Sequence, residues 1–397
     1  MDISNKIKDQ MTQGSWVRRM FESGIALKNQ YGEENVFDLS LGNPIMEPPA
    51  QFSKELLKLA KGSMSGIHRY MPNAGYIETR TAVANQLAFE TGLQITANQI
   101  VMTCGAGGAL NVIFKAIINK GEEVIIFAPF FVEYVYYIDN HGGIPKILET
   151  DSNYVPNLDK LERAINSKTK AVLINSPNNP TGVVYSDSLM KELGSILGRK
   201  EKELGRKIFL VSDEPYKKIV YDNIDIKSVF TYHTHSIVAT SYSKDLALPG
   251  ERIGYIAVNP DYSLKEDLVD AITFCNRTLG FVNAPAMMQH LIIKLQNVTV
   301  DVSEYEKKRD ILYNDIKSMG YSVVKPQGAF YMFPKSPIED DVKFVNDLQR
   351  YNLLVVPGLG FGKKGHFRIS YCVSDRTIKG ALTGFRSIAV DYGLIHK

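Results

Sequence analysis

Short apolar runs alternate with helical segments through the middle of this chain, and this alternation restricts the possible fold more than any other feature. The runs are too short for helices and contain few polar residues, which is typical of strands buried on both faces of a sheet. Helical segments such as 109–119 and 188–205 lie between them. Strands that alternate with helices predict a mostly parallel α/β sheet. The predicted strands are Ile100–Thr103, Val124–Phe127, Ala171–Ile174, Ile208–Val211, Ile237–Thr240 and Ile253–Val258.

A different pattern begins near residue 290, where a long charged helical segment, Val302–Met319, is followed by short apolar runs. The chain has 397 residues, more than one hydrophobic core usually supports. We therefore expect a large domain over residues 45–285 and a smaller α+β domain over residues 286–397, which an N-terminal arm of residues 1–44 joins. The strands predicted in the smaller domain are Tyr321–Val324, Ala329–Phe333, Leu353–Val356 and Phe367–Ser370.

Composition and charge disfavour several classes of protein. Lysine and arginine total 46 against 43 acidic residues, and the two signs are mixed along the chain, so no basic stripe predicts binding of nucleic acid. The first ten residues lack an apolar core and no apolar run reaches membrane-spanning length, so we expect no signal peptide and no membrane contact. The three cysteines are scattered and form no CxxC pair. These features predict a cytoplasmic protein.

Lys244 is the clearest candidate for chemistry. It follows the hydroxyl residues Ser241 and Ser243 just after a predicted strand, and Arg252 lies eight positions further on. Open α/β sheets bind their ligands at the carboxyl ends of strands. Burial there lowers the pKa of a lysine and permits Schiff-base chemistry near neutral pH. A single lysine at a strand end is usually solvated, so the interpretation depends on its neighbours.

Three more strand ends carry polar or glycine-rich segments. Gly105-Ala-Gly-Gly-Ala109 opens a helix, where free backbone N–H groups suit a phosphate, although a plain tight turn is equally consistent. Asn175-Ser-Pro-Asn-Asn-Pro-Thr-Gly182 and Ser212-Asp-Glu-Pro-Tyr216 follow two other strands. Alone, the first is ordinary turn chemistry and Asp213 is a helix cap. Because the carboxyl ends of parallel strands meet at one edge, the three segments together with Lys244 predict a site.

These motifs, in this order, resemble the fold-type I pyridoxal-phosphate-dependent aminotransferases of class I/II, in the aspartate aminotransferase-like branch. The resemblance extends from Leu41 to Ser370, nearly the whole chain. It implies a mostly parallel seven-stranded sheet sandwiched by helices, pyridoxal 5'-phosphate as cofactor and a homodimer. The motifs that carry it are Asn179-Pro-Thr-Gly182, Asp213-Glu-x-Tyr216, Ser241-x-Ser-Lys244 with Arg252, and Arg368-x-Ser370.

The resemblance implies a role for each matching residue toward the cofactor ring. Lys244 is the catalytic Schiff-base lysine, and Asp213 faces the pyridine nitrogen, where a carboxylate keeps that nitrogen protonated and the ring electron-accepting. Tyr216 and Asn179 hydrogen-bond the phenolic oxygen of the ring. Phe131 stacks on the ring face, at a position where the family often has tryptophan.

At the other end of the cofactor, the resemblance implies a phosphate held by backbone, hydroxyl and guanidinium groups. Tyr70 resembles the tyrosine that reaches this phosphate from the neighbouring subunit, which requires a dimer with shared active sites. Without the resemblance, Tyr70 would be interpreted as a core aromatic residue. The implied phosphate ligands are the backbone of Ala106 and Gly107, the hydroxyls of Ser241 and Ser243, and Arg252.

Arg368 resembles the arginine that binds the α-carboxylate of the substrate, with Asn179 and the backbone of Gly42 assisting. The apolar neighbours of Arg368 support this role independently, because a buried strand arginine requires an anion. A fixed carboxylate orients the Cα–H bond perpendicular to the cofactor ring and favours proton loss. The implied reaction is a ping-pong transfer of an amino group between an L-amino acid and a 2-oxo acid.

Substrate choice depends on a cation for a distal carboxylate. One branch of the family has a lysine in the phosphate turn, where this chain has Gly107 and Gly108. Other relatives use an arginine of the partner subunit just before an Asn-x-Pro segment, and Arg277 lies close to that place. Arg18 and Arg19 are further candidates, although a solvated helix face is their expected role. Our hypothesis is aspartate or glutamate recognition through Arg277, with 2-oxoglutarate as acceptor.

Several alternatives stay open. The chain could transfer amino groups of aromatic or small neutral amino acids, or it could be a lyase of the same fold that cleaves a C–S bond. A cofactor-binding regulator is disfavoured because the first forty residues show no basic helix-turn-helix. His233 and His235 could bind a metal, but no acidic or cysteine partner lies nearby in sequence. We therefore expect solvated turn histidines and no metal site.

Overall fold

The computed structural model describes residues 3–12, 16–62 and 65–396. Its strands lie mainly between residues 100 and 258, with shorter strands near the two ends of the chain. In chain order they are β1 (Phe37–Asp38), β2 (Ile100–Thr103), β3 (Glu123–Ala128), β4 (Ile144–Glu149), β5 (Thr169–Asn175), β6 (Phe209–Asp213), β7 (Ser236–Ser241), β8 (Gly254–Val258), β9 (Tyr331–Met332), β10 (Leu353–Leu354), β11 (Val356–Pro357) and β12 (Phe367–Ser370).

Helices separate most of these strands. In chain order the helices are α1 (Asn5–Thr12), α2 (Trp16–Tyr31), α3 (Ala50–Lys61), α4 (Ile77–Thr91), α5 (Gly105–Ile117), α6 (Glu133–Asp139), α7 (Leu158–Ala164), α8 (Asp187–Leu204), α9 (Lys265–Thr278), α10 (Ala286–Ile292), α11 (Val302–Ser318), α12 (Asp341–Leu348) and α13 (Asp375–Asp391). Among the helices of the described residues, none is both long enough and apolar enough to cross a membrane.

A seven-stranded sheet forms the centre of the molecule, with the strand order β2-β8-β7-β6-β5-β3-β4. β8 is antiparallel to both of its neighbours, and the other neighbouring pairs are parallel. Alternate residues of β3 enter different apolar cores, because successive side chains of a strand point to opposite faces. Val124 and Ile126 pack in one core, whereas Ile125 and Phe127 pack in the other. The predicted α/β sheet, mostly parallel and covered by helices, is confirmed.

The carboxyl ends of β2, β5, β6 and β7 all lie at one edge of this sheet, because these strands share one direction. β8 lies between β2 and β7 and is antiparallel to both, so β2 and β7 run in the same direction. Each of the four strands therefore delivers the residues that follow it to the same edge. The segments that the sequence predicts to carry chemistry therefore meet at this edge.

The short strands near the chain ends form two smaller sheets. β1 pairs in parallel with β10, so the N-terminal segment is hydrogen-bonded to the C-terminal part of the chain. β12 pairs with β9 and β11 in a three-stranded antiparallel sheet. These pairings support a smaller domain that includes the N-terminal arm. The division at residues 1–44, 45–285 and 286–397 stays a prediction.

The strand predicted over Tyr321–Val324 does not form, since this segment belongs to none of the sheets of the described residues. Its apolar character has another cause. The Tyr321 ring is buried in an aromatic cluster, where its centroid lies 6.0 Å from that of Phe367 and 6.1 Å from that of Phe385. The segment thus supplies an apolar anchor to the core rather than a strand.

Candidate active site

A cavity of about 310 Å³ lies at the edge of the sheet where the parallel strands end. Fourteen residues were predicted to form one active site, and the structure brings twelve of them to this cavity, while Tyr70 and Arg277 lie elsewhere. The predicted residues that line it are Gly42, Ala106, Gly107, Phe131, Asn179, Asp213, Tyr216, Ser241, Ser243, Lys244, Arg252 and Arg368.

Lys244 follows β7 and reaches into this cavity, where its Nζ donates a hydrogen bond to the Gly42 carbonyl oxygen at 2.8 Å. A side chain at Gly42 would collide with the Tyr331 hydroxyl, so the backbone comes this close only with glycine there. Burial, together with the positive charges of Arg368 and Arg252, lowers the pKa of Lys244 to about 8. Near neutral pH the lysine can therefore lose its proton, as Schiff-base formation and proton transfer require.

Asp213, at the end of β6, is buried and meets its partners through one oxygen. The Tyr134 hydroxyl donates to Oδ2 at 2.5 Å, while Oδ1 has no hydrogen-bond partner among the described residues. The Asn175 side chain donates to the Asp213 carbonyl at 2.9 Å and fixes the backbone there. Burial raises the pKa of Asp213 to about 7, and the Tyr134 hydroxyl opposes this rise. The free Oδ1 needs a cationic N–H donor, which a protonated pyridine nitrogen provides.

Tyr134→Phe should shift the acid limb of the pH–rate profile to higher pH by about one unit, the scale of one hydrogen bond to a charged group. The Tyr134 hydroxyl holds the pKa of Asp213 down, so its removal raises that pKa and leaves less carboxylate at neutral pH. The measurement is kcat against pH. Tyr136→Phe is the matched control, because Tyr136 lies on the same helix but does not line the cavity. Superimposable profiles for Tyr134→Phe and wild type would refute this role.

Another part of the cavity lining has the features of a phosphate site. Ala106 lies in the first turn of α5, where backbone N–H groups lack helical partners and the helix dipole is positive. The Arg252 guanidinium packs beside this turn and donates to the carbonyl oxygens of Pro249 at 3.0 Å and Cys104 at 3.4 Å. Gly105 has a φ of +73°, and a side chain there would meet Arg252 Nη2 at 2.7 Å. Glycine at this position therefore lets the arginine approach the helix end.

Arg368, on β12, is buried and lies 4.7 Å from the ring centroids of both Tyr331 and Phe361. Its two terminal nitrogens donate to Asn179 Oδ1 at 3.1 Å and to the Ser40 carbonyl oxygen at 2.5 Å. Its Nε has no hydrogen-bond partner among the described residues, and both acceptors are uncharged. A buried guanidinium without a carboxylate is costly, so this position favours an anionic ligand.

Asn179 and Tyr216 also line the cavity. Since Asn179 Oδ1 accepts from Arg368, its amide nitrogen is left to donate toward the cavity. The Tyr216 hydroxyl lies 2.8 Å from that of Tyr331, so one of the two phenols can donate onward. Both residues thus offer the donors that the ring's phenolic oxygen needs.

Seven lining residues were not predicted from the sequence, and three of them are tyrosines. Tyr134 and Tyr137 lie three positions apart on α6, a spacing that places both on one helix face. Tyr331 belongs to a predicted strand that was given no role in the site, and Asn175 is the first residue of the segment 175–182. The α6 spacing was the available signal, but aromatic residues on one helix face are more often core than site.

Tyr70 and Arg277 do not line the cavity of their own chain. The Tyr70 side chain is 90% exposed, so the interpretation as a core aromatic residue is wrong. Arg277 is exposed near the end of α9, 5.3 Å from the Phe274 ring centroid. Arg19 is exposed on α2, whereas the side chain of Arg18 lies outside the described residues.

The expectation of solvated turn histidines is wrong. His233 and His235 are 7% and 8% exposed. Glu201, on α8, lies 2.7 Å from His235 Nδ1 and 3.5 Å from His233 Nε2. The acidic partner was overlooked because it comes from a distant part of the sequence and is brought close only by the packing of α8.

The cavity fits pyridoxal phosphate on observations of its own atoms. Asp213 Oδ1 lacks a donor at one side, and the first turn of α5 with Arg252 offers an anion site at another. Lys244 lies in the same cavity with a lowered pKa. Ser241 and Ser243 would add hydroxyl donors to the phosphate, and Phe131 an aromatic face to the ring.

The sequence model of the aminotransferase class I and II family matches residues 34–385. Together with the fold and the cavity, this match shows that the chain belongs to that family, whose members depend on pyridoxal phosphate and act on amino acids and 2-oxo acids. The predicted family, fold type and cofactor are confirmed.

Individual relatives agree with this assignment. A probable aspartate aminotransferase from Methanocaldococcus jannaschii is 33% identical, with 87% of this chain and 91% of that protein covered. An amino transferase structure from Eubacterium rectale superposes with a TM-score of 0.95 at 37% identity and covers 99% of both chains. The Thermus thermophilus aspartate aminotransferase with maleate has a TM-score of 0.85 at 26% identity, covering 98% of this chain and 100% of that one.

Proposed function

We propose that this chain is the protomer of a homodimeric aminotransferase with aspartate or glutamate as amino donor and 2-oxoglutarate as acceptor. The observation that carries the amino-acid chemistry is the buried Arg368 with its unpaired Nε, in the same cavity as Lys244. One end of an amino acid would bind there while its Cα lies within reach of the lysine. A cytoplasmic location stays a prediction.

Each of the residues around the cavity would have its own role in the reaction. Pyridoxal phosphate, when bound, supplies an aldehyde that condenses with amino groups and a ring that accepts an electron pair. Arg368 and Asn179 would hold the α-carboxylate and orient the Cα–H bond. Lys244, as a free neutral amine, would take the Cα proton and return it to the acceptor carbon. Asp213 would stay ionised against the ring nitrogen, and its charge would hold that nitrogen protonated.

A dicarboxylic donor is supported by the relatives named aspartate aminotransferases and by maleate, a dicarboxylate, in the Thermus thermophilus structure. The cations that line the cavity are Lys244, Arg252 and Arg368, and each already has a role. A distal carboxylate therefore requires a cation from outside this lining. Arg277 is our candidate.

A homodimer with shared sites would bring Arg277 and Tyr70 into the cavity of a second copy. The two residues belong to neighbouring segments of one surface, because Asn276 donates to the Asn73 carbonyl at 3.3 Å and Asn283 donates to the Pro72 carbonyl at 3.1 Å. The Tyr70 side chain is 90% exposed and so is accessible to a second copy of the chain. This arrangement supports a dimer in which Tyr70 contacts the phosphate and Arg277 binds the distal carboxylate in the site of the other copy.

Arg277→Ala should lower kcat/KM for aspartate by about tenfold to a hundredfold, the effect of losing one charge-assisted hydrogen bond. A donor without a distal carboxylate, such as alanine or phenylalanine, should keep its kcat/KM. Lys265→Ala, at the other end of the same helix, is the matched control. Single-turnover half-reactions with each donor provide the measurement. Equal losses for aspartate and phenylalanine, or none for aspartate, would rule out this role.

Hybrid dimers test whether Arg277 acts across the interface. If it does, a dimer of one Lys244→Ala chain and one Arg277→Ala chain contains one doubly defective site and one intact site. Random assortment of the inactive Lys244→Ala chain and the weakened Arg277→Ala chain then restores roughly a quarter of wild-type aspartate activity, because roughly half of the dimers are hybrids. If Arg277 acts within its own chain, mixing gives no more than the residual activity of the Arg277→Ala chain. A monomeric protein in solution would contradict the dimer itself.

A further inference from the structure

A second cluster of polar side chains lies at the edge of the central sheet opposite the cavity. Glu201 is near the end of α8, whereas His233 and His235 directly precede β7. His235 is hydrogen-bonded to the start of β6, since its carbonyl oxygen accepts from Leu210 N–H at 2.8 Å. The cofactor cavity lies beyond the carboxyl ends of these same strands, so the Glu201–His233–His235 cluster has no part in the reaction described above.

The spacing of the cluster suits coordination of a metal ion. The three potential ligand atoms all lie within 4.8 Å of one another. Zinc ligands at about 2.1 Å in a tetrahedral arrangement are about 3.4 Å apart. The carboxylate oxygen of Glu201 lies 2.7 Å from His235 Nδ1 and 3.5 Å from His233 Nε2, so small rotations of the side chains reach that spacing.

Hydrogen bonding leaves this cluster incompletely satisfied. His235 Nδ1 is close to Glu201 but forms no hydrogen bond of acceptable geometry among the described residues, and the side chain is buried. A buried nitrogen without a partner is costly. A metal ion close to both atoms would accept the lone pair of this nitrogen.

The charge of the cluster also favours a cation. The ion pairs of Glu201 within the described residues are those with the two histidines, which are neutral when they act as metal ligands. When both imidazoles are neutral, this largely buried carboxylate has no counter-ion among the described residues and accepts one further hydrogen bond, from Ile208 N–H at 2.8 Å. A divalent ion would supply that charge.

We propose that Glu201, His233 and His235 form a structural binding site for a divalent transition-metal ion. Two imidazole nitrogens and one carboxylate oxygen are a ligand set typical of Zn²⁺. His233 Nε2, which donates to the Ile208 carbonyl oxygen at 2.9 Å, would give up this proton on binding the metal, and the carbonyl oxygen or a water molecule would complete the coordination. The ion would tie the end of α8 to the amino ends of β6 and β7, and thereby brace the strands that carry Asp213 and Lys244 at their other ends.

Zinc titration of chelator-treated holoenzyme tests this site, with calorimetry for affinity and thermal unfolding for stability. We expect wild type to bind a single equivalent of Zn²⁺ and to unfold at a higher temperature when it is bound. Glu201→Gln and His235→Gln should weaken binding by at least about tenfold and abolish the thermal shift. His141→Gln is the matched control, because His141 is half-buried but lies outside the cluster, and it should behave as wild type.

Two outcomes would overturn the proposal: wild type that binds no Zn²⁺, or cluster variants that bind it as tightly as wild type. If either variant fails to fold, Co²⁺ added to the wild-type holoenzyme decides instead. Four-coordinate Co²⁺ with nitrogen ligands gives visible bands that are absent for the hydrated ion, and their absence would also overturn the proposal. Absorbance of the bound cofactor, recorded before metal is added, provides the baseline for these spectra.

Discussion

Lys244→Ala should reduce the transamination rate by about 10⁴-fold, the upper range for a single acid–base group, because both the covalent link to the cofactor and the proton carrier disappear. The lysine lies in the cavity with a pKa of about 8, and the other cations of the lining are arginines, which do not give up a proton near neutral pH. Among the described residues that line the cavity, no other amine can therefore replace it. Steady-state rates with aspartate and 2-oxoglutarate provide the measurement.

Lys244→Arg keeps the positive charge but removes the group that can lose a proton near neutral pH, so this variant should be as inactive as the alanine variant. Lys294→Ala, at an exposed lysine, should match wild type. Cofactor binding gives an independent readout, since borohydride should fix the cofactor to the peptide that contains Lys244 in wild type and to no peptide in the variant. A Lys244→Ala enzyme within about tenfold of the wild-type rate would contradict the assigned role.

Asp213→Asn should lower kcat by about 10²- to 10³-fold, the usual effect of losing one electrostatic partner in a closed site. The amide has nearly the same shape as the carboxylate and keeps the contact with Tyr134, but it carries no charge to hold a protonated ring nitrogen. The electron-accepting capacity of the cofactor falls accordingly. The loss should appear in kcat rather than in KM, because the charge matters after the substrate has bound.

Asp213→Glu is the companion variant, because it keeps the charge and moves its position. It should retain more activity than the asparagine variant if charge is the deciding property. Its pH–rate profile should keep an acid limb, whereas Asp213→Asn should lose the part of that limb that Asp213 contributes. Equal rates for wild type and Asp213→Asn would show that the carboxylate does not act on the ring.

The sheet was largely predictable because its inner strands are apolar throughout. β4 was the missed strand of the central sheet, and it lies at the edge with Pro145, Lys146 and the exposed Ile144 and Ile147. Proline and lysine in an edge strand discourage further pairing and interrupt the apolar pattern that identifies buried strands. The sequence signal is therefore weakest where the strand is least buried.

The site was predictable to the extent that its residues directly follow strands. Lys244, Asp213 and Asn179 come together because parallel strands end at one edge, which a sequence pattern can reveal. The Tyr134 contact with Asp213 and the approach of Glu201 to the histidines depend on how helices pack against the sheet. Such contacts between distant segments leave no local pattern.

The most direct test of the assignment is titration of the visible absorbance of the cofactor-loaded protein with a panel of amino acids. Aspartate and glutamate should bleach the visible band, and 2-oxoglutarate should restore it. Bleaching by aromatic or small neutral donors alone would keep the transaminase and change its substrate, whereas pyruvate and ammonia released without an acceptor would indicate a lyase. The absence of any visible band after incubation with pyridoxal phosphate would contradict the account.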